Sequence, residues 1–151
     1  MLISPFRYLP RRDIALLCTL TKVYLGIMRL RRMDLTNKLY KVFLIAGSEP
    51  LGTAGMQADI KSVSACGGYA AGAITCIVDE DTIKVKSIHT IPPKMVTDQA
   101  YSFLEDVGAD CIKTGMLYSK ELVVAIGEVI KKQSIPVVID PVMVSSAGDK
   151  L

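Results

Sequence analysis

The sequence predicts an α/β fold, a three-layer α/β/α arrangement built on a parallel sheet. From Lys41 onward, short apolar runs of strand type alternate with stretches of helical period, the order that a doubly wound parallel sheet requires. The 151 residues, 50% of them hydrophobic, are enough for the core of one ordinary domain. No internal repeat or low-complexity linker divides them.

The elements follow in order. KVFLIAG, residues 41–47, is a short apolar run closed by glycine and reads as a buried strand. The glycine-rich loop SEPLGTAG comes next, and Met56, Ile60 and Val63 then recur at i, i+4 and i+7 as the inward stripe of a helix that stops at Gly67-Gly68. AAGAITCIV, residues 70–78, is the second strand, and residues 85–88 are a candidate short extra one. Pro92-Pro93 opens a helix with the stripe Val96, Ala100, Phe103 and Val107, ending at Gly108. DCIKTGM, residues 110–116, holds the third strand and its exit. Ser119 is placed to N-cap a helix with Leu122, Ile126, Val129 and Ile130 inward and Lys131-Lys132 at its C-terminus. PVVID, residues 136–140, is the fourth strand. All four strands are expected to be parallel, the 41–46 and 110–114 pair included.

Charge is unevenly spread. Residues 1–33 carry seven Lys/Arg against Asp13 alone, a net +6, so the remaining 118 residues carry −3 and the overall +3 reports the N-terminus. Nucleic-acid binding gets no support from this balance. The apolar stretch 14–28 is bracketed by arginines, but it is shorter than the roughly 20 residues that span a bilayer and Lys22 interrupts it. Residues 1–33 are therefore read as an extension outside the fold, with no membrane partner expected, and residues 34–151 as the folded part. Cys18, Cys66, Cys76 and Cys111 are scattered, with no CxxC and only His89 beside them, so no zinc or redox motif assembles; free thiols in a reducing cytoplasm are the plain reading.

In open α/β sheets ligands bind outside the carboxyl ends of the strands. There the sequence places the glycine loop ending at Gly55, then Asp79-Glu80-Asp81, then Gly115-Met116, then Asp140-Pro141. The loop matches neither Walker A nor a strict GxGxxG, so phosphate cradling is unsupported, although its glycines allow a flat ligand close to the backbone. Asp59 falls at the edge of the apolar stripe, where a carboxylate needs a partner; helix N-terminal amides or a bound ligand are the two readings.

Three separated blocks, AGSEPLGTAGMQADIKS (46–62), KTGML (113–117) and DPVMVSSAGDKL (140–151), resemble the hydroxymethylpyrimidine/phosphomethylpyrimidine kinases of thiamine biosynthesis, members of the ribokinase-like superfamily. The resemblance runs from about Lys41 to Leu151. It implies ATP- and Mg²⁺-dependent phosphorylation of a 4-amino-5-hydroxymethylpyrimidine and then of its monophosphate. Carried onto this chain, it makes Gly47 and Ala54 parts of the pyrimidine wall, Asp59 the acid that hydrogen-bonds the ring, Val78 and Met116 apolar contacts, and Asp140 the acid near phosphate and metal. An aminopyrimidine suits that set, offering an amine donor to a carboxylate and two faces to aliphatic or thioether groups. A homodimer is kept as a candidate assembly.

Three departures stand out. Glu80-Asp81 replaces the family's Gln-Asn, exchanging an amide that donates and accepts for groups that only accept when ionised; Glu80 is kept as the residue at that substrate position. Ser146 stands where many members carry lysine. The sequence ends at Leu151, ahead of the family's C-terminal half with its anion hole, base or cysteine and most of the nucleotide pocket. The resemblance therefore implies no catalytic residue within the chain and an inactive chain on its own. A non-catalytic pyrimidine-binding or assembly module and a kinase of pyridoxal type are the alternatives.

Overall fold

The structure, a computed structural model, describes residues 38–142. The apolar stretch 14–28, Cys18 and Ser146 lie outside the described residues. Among these residues five strands and three helices follow one another as β1 (Lys41–Ser48), α1 (Gly55–Ala65), β2 (Tyr69–Glu80), β3 (Val85–Thr90), α2 (Pro93–Asp106), β4 (Cys111–Thr114), α3 (Lys120–Lys131) and β5 (Val137–Ile139). They form one sheet in the order β3-β2-β1-β4-β5. β1 is central because it is the most apolar run, with every residue from Val42 to Gly47 buried. It pairs in parallel with β2 (Val42 opposite Ala70) and with β4 (Val42 opposite Cys111), and β4 pairs in parallel with β5. The fifth strand is the candidate at 85–88; it runs antiparallel to β2, with Cys76 opposite Thr90 and Val78 opposite Ile88. A short turn joins β2 to β3, so the chain has no crossover in which to reverse direction and returns as a hairpin.

Side chains alternate across the sheet. Phe43, Ile45, Ala73 and Ile112 point to the face covered by α2 and α3, where they close a core with Val96, Ala100, Leu122, Ile126 and Val129. Leu44 and Lys113, one residue out of step, point to the opposite face, where α1 lies with Met56, Asp59 and Val63 buried. Three layers result, as expected.

Two helical stripes differ from the reading of the sequence. Ile60 is 37% exposed, and the buried position on that turn of α1 is Asp59. An ion pair to β4 turns the acid inward and rotates the isoleucine to the rim. Val107 is the C-cap of α2 and is also exposed, since the stripe ends with the partly buried Phe103. Ser119 caps α3 as expected, its hydroxyl accepting from the Leu122 amide at 3.1 Å. Asp79 and Glu80, read as loop, are the last residues of β2, because the ladder to β3 carries the strand past Val78 with an irregularity between the two acids.

Cys66, Cys76 and Cys111 are free thiols, and burial pushes those of Cys76 and Cys111 up, away from thiolate chemistry. Among the described residues no helix is long and apolar enough to cross a membrane.

Candidate active site

After β1 the chain moves to β2 on one side, then returns to lay β4 on the other. The strand order thus reverses between β1 and β4, and open α/β sheets bind their ligands at the carboxyl ends of the strands at such a point. Two glycines shape this edge. Gly55, at φ +57°, opens α1, and a Cβ there would collide with the Gly47 carbonyl. At Gly47 a Cβ would lie 2.9 Å from Cys76 Sγ and 3.1 Å from Met116 Cε, so the thioether packs over bare backbone at the end of β1. The exit of β4 is tied across β1 by the buried Thr75 hydroxyl, which donates to the Met116 carbonyl at 2.7 Å.

The loop between β1 and α1 is organised by a residue the sequence reading passed over. Glu49, 6% exposed, accepts hydrogen bonds from the backbone amides of Leu51, Gly52 (2.9 Å), Thr53 (2.5 Å) and Ala54 (2.8 Å). The amides that a phosphate would need are filled by the chain's own carboxylate. Ala54, expected in the pyrimidine wall, is held here by its amide and caps α1 without a side-chain bond. Burial alone would raise the Glu49 carboxyl, but the four amides outweigh it and hold it below the ordinary glutamate value. A group lowered in the folded state contributes stability above its unfolded pKa and loses it as pH falls through the folded one. Glu49→Gln is expected to lose about 1–3 kcal/mol of stability near neutral pH. The deficit against the parent should shrink below the ordinary glutamate range, and urea unfolding at several pH values checks it.

A second acidic group lies on the α1 face. Lys113 Nζ is 2.6 Å from Asp59 Oδ2 and 3.8 Å from Asp140 Oδ2. The lysine and Asp59 side chains are 6% and 8% exposed, whereas Asp140 is at 23%. Burial pushes the Asp59 carboxyl up, Lys113 pulls against it, and Asp140 adds to the rise. Lysine in a four-residue buried strand, CIKT, is the signal that would have revealed this partner.

The expected site residues therefore fall into two sets. Gly47 and Met116 touch, with Cys76 as an unforeseen third member. Asp59 and Asp140 meet at Lys113. Val78 is buried on β2, two residues beyond Cys76. Glu80 stands further along, where burial, then Glu49, then Asp81 push its carboxyl up. The charges acting on Asp59 are those of Lys113 and Asp140, and those acting on Glu80 are Glu49 and Asp81. An open groove of about 530 Å³ on the α2 face, lined by residues including Phe43, Gly72, Met95 and Phe103, holds none of the expected residues.

No group of three or more His, Cys, Asp or Glu among the described residues could hold a metal ion. Asp140 is a partly exposed carboxylate 3.8 Å from the Lys113 ammonium. It suits Mg²⁺ that arrives with phosphate oxygens and keeps its waters better than a resident ion in a protein cage.

Comparison with known proteins bears on the family and the fold. The family model described as phosphomethylpyrimidine kinase matches residues 49–151. A hydroxymethylpyrimidine/phosphomethylpyrimidine kinase of Staphylococcus aureus is 41% identical over 108 residues, 71% of this chain and 39% of that protein. A probable thiamine biosynthetic bifunctional enzyme, chloroplastic, of Oryza sativa subsp. japonica is 41% identical over 111 residues, 73% of this chain and 20% of that one. The chain thus spans well under half the length of these curated relatives. The crystal structure of phosphomethylpyrimidine kinase from Clostridium difficile 630 superposes with a TM-score of 0.68 at 35% identity, covering 76% of this chain and 49% of that one. Pyridoxal kinase from Staphylococcus aureus, in complex with AMP-PCP and pyridoxal, gives 0.65 at 37% identity, covering 72% and 40%. With the family model matched over most of its length, and two ribokinase-like kinases sharing its sheet, this chain belongs to the phosphomethylpyrimidine kinase family.

Proposed function

We propose that this chain forms the pyrimidine-binding part of a cytoplasmic kinase of thiamine diphosphate biosynthesis. That kinase phosphorylates 4-amino-5-hydroxymethyl-2-methylpyrimidine and then its monophosphate, with ATP as donor. The observation that carries the reading is the buried Asp59 carboxylate at the strand-order reversal, in a chain matched by the family model. Asp59 accepts from the ring amine, while Gly47 and Ala54 bring backbone against the ring. Met116 and Val78 cover its faces, and Glu80 receives a polar edge of the ring. Asp140 holds Mg²⁺ carried by the nucleotide, an ion that neutralises phosphate charge when bound. The ATP reading is supported by the pyridoxal kinase relative, crystallised with AMP-PCP.

Glu80→Gln is expected to tighten pyrimidine binding about 3–10-fold by restoring a donor beside an acceptor. The parent should close that gap as pH falls: a carboxyl pushed up by burial, Glu49 and Asp81 takes its proton, and with it donor capacity, at higher pH than an ordinary glutamate. Calorimetric titration at several pH values tests this. A parent that weakens on acidification while the variant stays constant contradicts the role given to Glu80.

Likeness to the pyridoxal kinase favours a second reading, a substituted pyridine as ligand. Titration with the aminopyrimidine and with pyridoxal separates the two. Turnover is a distinct question. Losing one oxyanion-type donor costs about 10²–10³-fold, and general acid–base help is worth about 10²–10⁴-fold. The longer relatives supply residues for which 1–151 has no counterpart. A polypeptide of these residues is therefore expected to bind pyrimidine without useful ADP release in a coupled assay. Pyrimidine-dependent turnover near about 1 s⁻¹, abolished by Asp140→Asn, would instead show a self-sufficient kinase.

A further inference from the structure

A lysine in the interior of a parallel sheet is a poor device for stability. Desolvating its ammonium and a carboxylate offsets most of their attraction, and an apolar pair of similar volume is often as stable or more so. Three features nevertheless converge on Lys113 Nζ. Asp59 Oδ2 lies at 2.6 Å and Asp140 Oδ2 at 3.8 Å. Gly115 leaves room beside it, since a Cβ there would come within 3.1 Å of the ammonium and 3.1 Å of Ala46 Cβ. The hydrogen bond is one-sided: the ammonium donates to Oδ2 of Asp59, and no described residue donates to Oδ1. One oxygen is gripped and the other is presented.

We propose that Lys113 is a positioning residue, which fixes Asp59 through Oδ2 so that Oδ1 faces the ring amine, and which bridges that acid to Asp140 on the phosphate side. This rests on the pyrimidine reading above. In that arrangement one cation sets the relation between the group that holds the ring and the group beside the phosphates. A stiff link of this kind aligns a hydroxymethyl group with a phosphoryl donor without touching either.

The test is a double-mutant cycle read in ligand affinity. The 151-residue polypeptide, Asp59→Asn, Lys113→Met and the double variant are titrated calorimetrically with 4-amino-5-hydroxymethyl-2-methylpyrimidine, and circular dichroism melts check folding. Acting through Asp59, Lys113→Met should weaken binding about tenfold, as should Asp59→Asn, each about the worth of one hydrogen bond. The double variant should then bind like Asp59→Asn to within about twofold. A structural role alone would lower the melting temperature and leave the affinity of the folded fraction unchanged. Should Lys113→Met fail to fold, the double variant against Asp59→Asn still decides, because it carries neither member of the pair. Losses that multiply to about a hundredfold, or a Lys113→Met that binds like the parent, overturn the positioning role alone. If the parent binds pyridoxal and not the pyrimidine, the pyrimidine reading fails and the same cycle on pyridoxal judges Lys113. A parent that binds neither overturns both.

Discussion

Lys113→Met is expected to lower the free energy of unfolding by about 3–5 kcal/mol, a large share of what a domain of this size possesses. The cost does not measure the worth of the ion pair. It arises because Asp59, 6% exposed, is left as a buried carboxylate with Asp140 as its remaining charged neighbour. The loss should therefore diminish when Asp59 is neutralised in the same chain: Asp59→Asn/Lys113→Met is expected to recover at least half of it. The single variant should also be relatively more stable in mild acid, where Asp59 takes up a proton. Urea denaturation of the three chains at neutral and mildly acidic pH checks both points. A single variant within about 1 kcal/mol of the parent at neutral pH would mean that water reaches Asp59 freely, contrary to the burial described.

Phe43→Ala is expected to cost a similar amount, about 3–5 kcal/mol, by a different route. Phe43 is 1% exposed at the middle of the central strand, and its ring stacks on Phe103 of α2 with centroids 4.8 Å apart and planes 25° from parallel. Truncation removes transfer free energy, the ring pair and part of the floor of the groove beside α2. Val123→Ala on the outer face of α3, where Val123 is 54% exposed, is the matched control and should stay within about 0.5 kcal/mol. The two effects differ in pH dependence, since the Phe43 deficit contains no titrating group and should be flat where the Lys113 deficit is not.

The alternation of strands and helices is legible in the sequence because each element carries its own period. Ser119, the paired prolines at 92–93 and the glycines at 67–68 punctuate those periods locally. What escaped that reading depends on distant partners. Asp59 sits beside an isoleucine that fits the helical stripe better, and only the lysine 54 residues away makes the acid the buried member. Glu49 reads as an ordinary polar loop residue until the loop folds back on it and four amides converge. Cys76 reads as a small hydrophobe, and its place against Gly47 follows from the register of β2 on β1. The electrostatics of this edge of the sheet come from Lys113: a lysine in the buried strand CIKT signals that a partner is needed, but not that the partner is an acid 54 residues earlier.

The central position of β1 also bears on the order in which the chain assembles. Its ladder with β2 starts between Lys41 and Tyr69, 28 residues apart, whereas the ladder with β4 joins Val42 to Cys111, 69 residues apart. Closing the longer loop costs roughly 0.8 kcal/mol more entropy, so the β1-α1-β2 unit can form before β4 docks. Until then Asp59 faces water. When β4 arrives, a slip of one residue would turn Ile112 or Thr114 toward the waiting carboxylate and drive the ammonium into the apolar core under α2 and α3. The ion pair thus acts as a late proofreading step on the strand that completes this edge of the sheet.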